Sequence, residues 1–222
     1  MKKSIYSIAL VLMSVVLSSC SKESIRGEGP VETIVRTDNI QQSFTSLKVN
    51  GEAEVYVNYG ITKNLEIKGY HNLLPLFMTE VVNNKLILQY KEGYRVRNGN
   101  IKIYLTVPYV PAIEVNGSCE AEFLGDFPIQ KEFYAEINGS GNVKYSRVEV
   151  GNTRFVINGS GNINAVDVIS TESVVRISGS GDVKLTALEK LNVEISGSGK
   201  VFYKGRPIIE QKISGSGEII SL

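Results

Sequence analysis

Ile-Asn-Gly-Ser-Gly-Asn stands at Ile137–Asn142 and recurs letter for letter at Ile157–Asn162. Near-copies follow at Ile177, Ile195 and Ile213, and a looser one precedes them at Val115-Asn116-Gly117-Ser118-Cys119. The first glycines of the six copies, Gly117, Gly139, Gly159, Gly179, Gly197 and Gly215, lie 22, 20, 20, 18 and 18 residues apart. The second glycines are Gly141, Gly161, Gly181, Gly199 and Gly217. A single motif returning at a period near twenty is the signature of stacked units that cannot bury a face alone.

The flanks say what each unit is. Two residues before the first glycine stand Val115, Ile137, Ile157, Ile177, Ile195 and Ile213, and four before it Ile113, Ala135, Phe155, Val175, Val193 and Gln211. Four after it stand Ala121, Val143, Ile163, Val183, Val201 and Ile219, and six after it Phe123, Tyr145, Ala165, Leu185, Tyr203 and Ser221. The residues between are mostly polar, with Val156 the exception before the glycine. Alternation of period two on both arms makes each unit a strand, a tight corner and a second strand. Only Gln211 and Ser221 break the apolar columns, and both belong to the last unit, where a cap is expected. The fold class predicted is all-β: a right-handed β-solenoid or β-roll of rungs about 18–22 residues long with Gly-Ser-Gly corners. Glycine suits corners that need positive φ and leave no room for a Cβ. Asn116, Asn138 and Asn158 before the corner suit a side-chain ladder. Val49-Asn50-Gly51-Glu52-Ala53, with Leu47 before it and Val55 and Val57 after, reads as a degenerate first rung.

Other readings of the motif are weaker. A phosphate loop needs a third glycine and a following helix. A calcium repeat of the type suggested by Gly179-Ser180-Gly181-Asp182 needs an oxygen cage, but the Asp182 slot holds Lys200 in the next copy. No metal or cofactor is expected. His71 has no nucleophile or carboxylate constellation around it in sequence, and Cys119 fills a corner slot as a small residue.

Residues 58–112 do not repeat. Leu65–Lys68, Lys85–Tyr90 and Ile101–Val107 read as strands, His71–Phe77 as a short helical turn around Pro75, and Asn83-Asn84 as a hairpin turn. Tyr94–Asn100 is polar and basic and reads as an exposed loop. Whether these residues add rungs or form a separate sheet stays open at this level. Tyr90, Tyr94, Arg95, Arg97 and Lys102 are the candidate binding face, since tyrosine and arginine are enriched in interfaces; half-buried amphipathic tyrosines are the plainer alternative.

At the N-terminus, Lys2 and Lys3 precede an apolar run, Ile5–Leu17, ending in Leu17-Ser18-Ser19-Cys20. This is the layout of a signal peptide over 1–19, and its ending resembles the lipobox of bacterial lipoproteins. Cys20 is then the lipidation site, carrying acyl chains such as palmitate and tying the protein to a membrane. Ser21 after it favours the outer membrane. Residues 20–30 read as a tether, 31–112 as a non-repeating β region and 113–222 as the repeat solenoid. With Cys20 lipidated, Cys119 has no disulfide partner. The 24 basic and 23 acidic residues balance, which argues against nucleic acid as a partner.

Phe44–Val57, His71-Asn72-Leu73-Leu74-Pro75, Lys85–Leu88, Ile101–Pro108 and the Gly-Ser-Gly repeats, in that order, resemble a family of bacterial surface lipoproteins, the autotransporter adhesin head GIN domain family. The resemblance covers the whole mature chain. It implies an all-β stack, a homo-oligomer such as a trimer, and an adhesin role, and it supplies no catalytic residue; the ligand expected from the tyrosine-rich face is a protein or a glycan. The leading expectation is a non-enzymatic, lipid-anchored binding module at the cell surface or periplasmic face. The alternatives are a self-assembling envelope protein and, last, a carbohydrate-active enzyme on a β-helix.

Overall fold

A computed structural model describes residues 23–222. The segment read as a signal peptide and Cys20, the expected lipidation site, lie outside the described residues. The strands are β1 (Glu23–Arg26), β2 (Val31–Val35), β3 (Ser46–Gly51), β4 (Glu54–Tyr59), β5 (Asn64–Tyr70), β6 (Phe77–Val82) and β7 (Lys85–Tyr90). Then come β8 (Tyr94–Arg97), β9 (Lys102–Val107), β10 (Ala112–Gly117), β11 (Glu120–Leu124), β12 (Gln130–Gly139) and β13 (Asn142–Tyr145). The last are β14 (Val148–Gly159), β15 (Asn162–Gly179), β16 (Val183–Gly197), β17 (Lys200–Lys204), β18 (Ile208–Gly215) and β19 (Glu218–Ser221). Two 3-10 turns, Thr37–Ile40 and Leu74–Leu76, complete the described elements.

The repeats stack as a β-solenoid. The arm before each corner pairs in parallel and in register with its neighbour, so Gly51, Gly117, Gly139, Gly159, Gly179, Gly197 and Gly215 form one column. The arm after the corner does the same through β4, β11, β13, β15, β16, β17 and β19. Long strands such as β14 and β15 bend to supply a third side before re-entering the first arm. The alternation read from sequence is the burial pattern: Ile137, Ile157, Ile177, Val143, Ile163 and Val183 are all at most 1% exposed.

The two corner glycines serve different ends. The first adopts φ between +119° and +140° in Gly117, Gly139, Gly159, Gly179, Gly197 and Gly215, a region costly for other residues. The second has ordinary φ but no space: a Cβ on Gly181 would stand 2.0 Å from the Gly161 carbonyl oxygen. Cys119 occupies this second slot, fully buried, in the rung above Ala53.

The change of repeat length from 20 to 18 residues has a local cause. Across β15 and β16, Val166, Asp167 and Val168 have no counterpart, while Leu188 and Glu189 stand opposite Thr171 alone. The register shift disrupts the ladder, and hydroxyls satisfy what it frees. Ser170 Oγ donates to the Thr186 carbonyl at 2.9 Å and Thr186 Oγ1 to the Val166 carbonyl at 2.7 Å. Ser170, Ser173 and Thr153 join in a buried chain of 2.7 Å contacts. The corner is untouched; the far side absorbs the length.

The N-terminal part answers the question left open, and it does both things. β7 stacks parallel on β3 and β9 parallel on β4, giving an additional rung. The Asn50-Gly51 corner is therefore a rung, but not the first. Antiparallel strands then close this end, β6 against β7, and β5 against β9 with β2 outside it. The two 3-10 turns lay buried Ile40, Leu73 and Leu74 over it. Arg36 donates to the carbonyls of Leu74, at 2.8 Å, and Phe77. Tyr94–Arg97, expected as a loop, is a strand paired in parallel with Glu23–Arg26, within the segment read as a tether. Its Tyr-Arg-Val-Arg alternation permits a strand, and its partner is remote in sequence. The other end differs: β18 and β19 are largely exposed, and among the described residues nothing covers them.

Glu114, on the outer face of β10, receives Lys48 and Lys85, each at 2.7 Å. Burial alone would raise its carboxyl, but these two contacts and Asn116 outweigh it and hold the pKa at about 2 against an ordinary 4.5. A depressed folded pKa stabilises fully above the unfolded value, and that contribution is lost as pH falls toward the folded one. Glu114→Gln is therefore expected to cost about 2 kcal/mol at pH 7. The gap between variant and native melting temperatures should shrink from pH 4.5 and vanish near pH 2. A gap independent of pH would contradict this.

Candidate functional site

A hollow of about 960 Å³ lies against the outer side of the first arm. The stack contributes Gln130, Glu132 and Tyr134 from β12, Asn152 and Arg154 from β14, and Glu172 and Val174 from β15. The N-terminal loops contribute Phe44, Lys63, Tyr109 and Val110. Stacking sets the first group: Tyr134, Arg154, Val174, Asn192 and Glu210 are register partners in successive rungs, so their side chains form one outward column. A second hollow of about 410 Å³ shares Arg154 and Val174 and continues past Asn192 to Lys212. Together they make one groove along the stack axis.

Its floor is apolar at the capped end. Phe44 meets Tyr109 edge-on with centroids 6.0 Å apart, and the Tyr109 hydroxyl donates to the Phe44 carbonyl. Lys63 Nζ lies 5.3 Å from the Phe44 ring centre and donates to the Gln42 carbonyl at 3.2 Å. Tyr134 donates to Glu136, and burial together with that acceptor pushes its hydroxyl pKa up. Arg154 makes no salt bridge among the described residues and stands near Tyr134 in the groove. Two buried polar atoms on its walls, Gln130 Nε2 and Asn192 Oδ1, have no hydrogen-bond partner among the described residues. A neutral amide left so is costly unless a ligand or solvent meets it.

The residues proposed from sequence as one face are divided. Tyr90 and Tyr94 line a separate hollow of about 310 Å³ with Asn50, Glu52 and Gln89. Tyr90 packs edge-on against Phe77 at 5.1 Å, and burial pushes its unpartnered hydroxyl pKa up. Arg95 and Arg97 are exposed on β8. Lys102 stands on the other arm, paired with Glu54 at 2.7 Å beside the stacked rings of Tyr56 and Tyr104, which lie 5.2 Å apart. The groove residues Phe44, Lys63, Tyr109, Tyr134 and Arg154 were missed. For Tyr134 and Arg154 the available signal was the column five before each first glycine, which runs Tyr134, Arg154, Val174, Asn192 and Glu210.

The corner slots are structural. Asn158 donates to Asn138 at 2.8 Å, Asn138 to Asn116 at 2.9 Å, Asn116 to Asn50 at 2.9 Å, and Asn50 to Gln89 at 2.5 Å. A second chain runs through the slot weighed for calcium. Asn142 donates to Glu120 at 2.6 Å, Asn162 to Asn142 at 2.8 Å, the Asp182 amide to Asn162 at 3.1 Å, and the Lys200 amide to Asp182 at 2.9 Å. Its carboxylates accept from the rung above, and the Asn142 and Asn162 amides donate to the rung below. Burial pushes the Cys119 thiol up to about 12, so it is a poor nucleophile. His71 is exposed at a turn, 2.9 Å from Glu32. Among the described residues, no three His, Cys, Asp or Glu side chains are grouped to hold a metal, and no helix is long and apolar enough to cross a membrane.

A family model described as "Putative auto-transporter adhesin, head GIN domain" matches residues 43–207. Among solved structures, a "putative adhesin" from Bacteroides fragilis NCTC 9343 is similar, with a TM-score of 0.72 at 21% identity, over 89% of this chain and 100% of the other. A "putative lipid binding protein" from Parabacteroides distasonis ATCC 8503 gives 0.55 at 21% identity, over 90% and 100%. A "putative adhesin" from Parabacteroides merdae ATCC 43184 gives 0.52 at 17% identity, over 90% and 99%. No curated protein matches the chain. At such identities the likeness shows the fold.

Proposed function

The chain belongs to the auto-transporter adhesin head GIN domain family, and from that premise we propose that it is a non-enzymatic binding module presented at the cell envelope, holding an elongated glycan in the outer groove. The observation that carries this is the groove itself. Its two hollows share Arg154 and Val174 and so follow one another along the stack. Aromatic floor, charged rim and unpartnered amides suit a ligand with apolar faces and many hydroxyls. Lipid on Cys20 would hold the module on the outer membrane, with β1 as the first element past the anchor.

The test is a glycan array and titration of the leading hit. Arg154→Ala is expected to weaken binding at least tenfold while leaving the melting temperature unchanged, because Arg154 is exposed and unbridged. Unchanged binding would move the site elsewhere. Proteolysis of intact cells should cleave an outward-facing protein, and labelled palmitate should enter the native protein and not Cys20→Ser. A second reading is an acyl ligand, favoured by the buried Phe44, Val110 and Phe133 at the capped end and by the description of the Parabacteroides distasonis neighbour. Titration with a fatty acid distinguishes it from the glycan reading.

A further inference from the structure

The two ends of the stack are not alike. Antiparallel strands and 3-10 turns close the N-terminal end. At the other, β18 pairs with β16 on one edge and has no strand on its other edge among the described residues, Ile208 is 74% exposed, and the inward-facing Ile213 is 38% exposed. A parallel stack ends in unpaired N–H and C=O groups, which template another strand unless they are blocked.

The sequence of β18 identifies what fits. Outward along it stand Ile208, Glu210, Lys212 and Ser214; inward stand Ile209, Gln211 and Ile213. Set this strand antiparallel to a second copy of itself, with Gln211 on the two-fold axis. Directly opposed residues of an antiparallel pair lie on the same face. Glu210 then faces Lys212 of the second copy, twice. Ile209 faces Ile213, also twice, closing the exposed core. Gln211, which interrupts an otherwise apolar column, faces its own copy, where two amides can hydrogen-bond. The charges extend a pattern already present, since Glu194 pairs with both Arg176 and Lys212, and Glu210 pairs with Lys190.

We propose that this end is a self-docking edge, through which two copies join by antiparallel pairing of Ile208–Ser214 into one continuous stack. The joint brings Glu210 and Lys212, which line the far end of the outer groove, against their counterparts. The groove therefore runs on from one copy into the next. The inference does not depend on what the groove binds.

A cysteine at the axis tests it in the full chain in its own membrane. Gln211→Cys should form a disulfide-linked dimer under mild oxidation, seen on a non-reducing gel, and Ser221→Cys should not. Adding Glu210→Lys or Lys212→Glu to Gln211→Cys opposes like charges across the joint and should cut the linked fraction at least fivefold. Adding both reverses every pair and should restore it, which also shows that the variants fold. No linked dimer, equal linkage from Ser221→Cys, insensitivity to the single charge reversals, or failure of the double reversal to restore linkage would each overturn the proposal. A chain segment or other protein covering this edge gives the first of those results.

Discussion

Gly179→Ala is expected to lower the unfolding free energy by about 4 kcal/mol or more, a large share of the roughly 5–15 kcal/mol that holds a typical domain folded. Two costs meet there. The backbone sits at φ +136°, and an added Cβ would stand 2.1 Å from the Gly159 carbonyl oxygen. Two companions separate the costs. Gly51 has φ +103° with nothing within 4 Å of an added Cβ, so Gly51→Ala should cost only the strained conformation, about 1–2 kcal/mol. Gly181 has ordinary φ, but its Cβ would lie 2.0 Å from the Gly161 oxygen and 2.8 Å from Ile157 Cγ2. Gly181→Ala should therefore be nearly as damaging as Gly179→Ala through contact alone. Urea titrations of the three variants give the order. If all three cost the same, close stacking is not what the second glycine serves.

Phe155→Ala is the second large effect, expected at about 3–5 kcal/mol. Phe155 is 1% exposed and meets Phe133 at 5.8 Å; Phe133 meets Tyr145 at 4.9 Å, and Tyr145 meets Phe123 at 4.4 Å. These rings come from three successive rungs, so the cavity removes an aromatic contact between the lower and upper halves. In a stack each unit contacts only its neighbours, so a lesion in the middle uncouples what lies on either side. The calorimetric melt should broaden or split in two, whereas Ile219→Ala, at the uncovered end, should shift a single transition slightly. A single sharp transition for Phe155→Ala would show that the halves remain coupled without the ring.

The corner was legible because glycine leaves two local traces, in the motif and in its flanks. Alternation at Ile157 and Ile163 states which side is inward, and repetition states what it stacks on. The extra rung at Lys85–Tyr90 and Lys102–Val107 was legible as strands but not as a rung. No short corner joins these strands; β8 intervenes, and the chain returns to the lower face of β3 and β4 before climbing to β10. The site was less legible still. Phe44, Tyr109 and Arg154 meet only after loops from the capped end lie against the stack. Tyrosine density instead pointed to Tyr90, Tyr94, Arg95, Arg97 and Lys102, which alternation and pairing send to different faces. Lys102 in particular is taken up by Glu54.

The bend at Ser170 and Ser173 shows how such a protein can change over generations. The corner column admits no length variation, because every glycine there is held by the one below. Residues can be gained or lost only at the opposite bend, where hydroxyls accommodate the mismatch. The glycine column is thus a fixed spine and the opposite bend a sliding margin. Insertions fused at Val166–Asp167 should be carried on the surface without disturbing the neighbouring turns, and that margin is where new surface can be acquired.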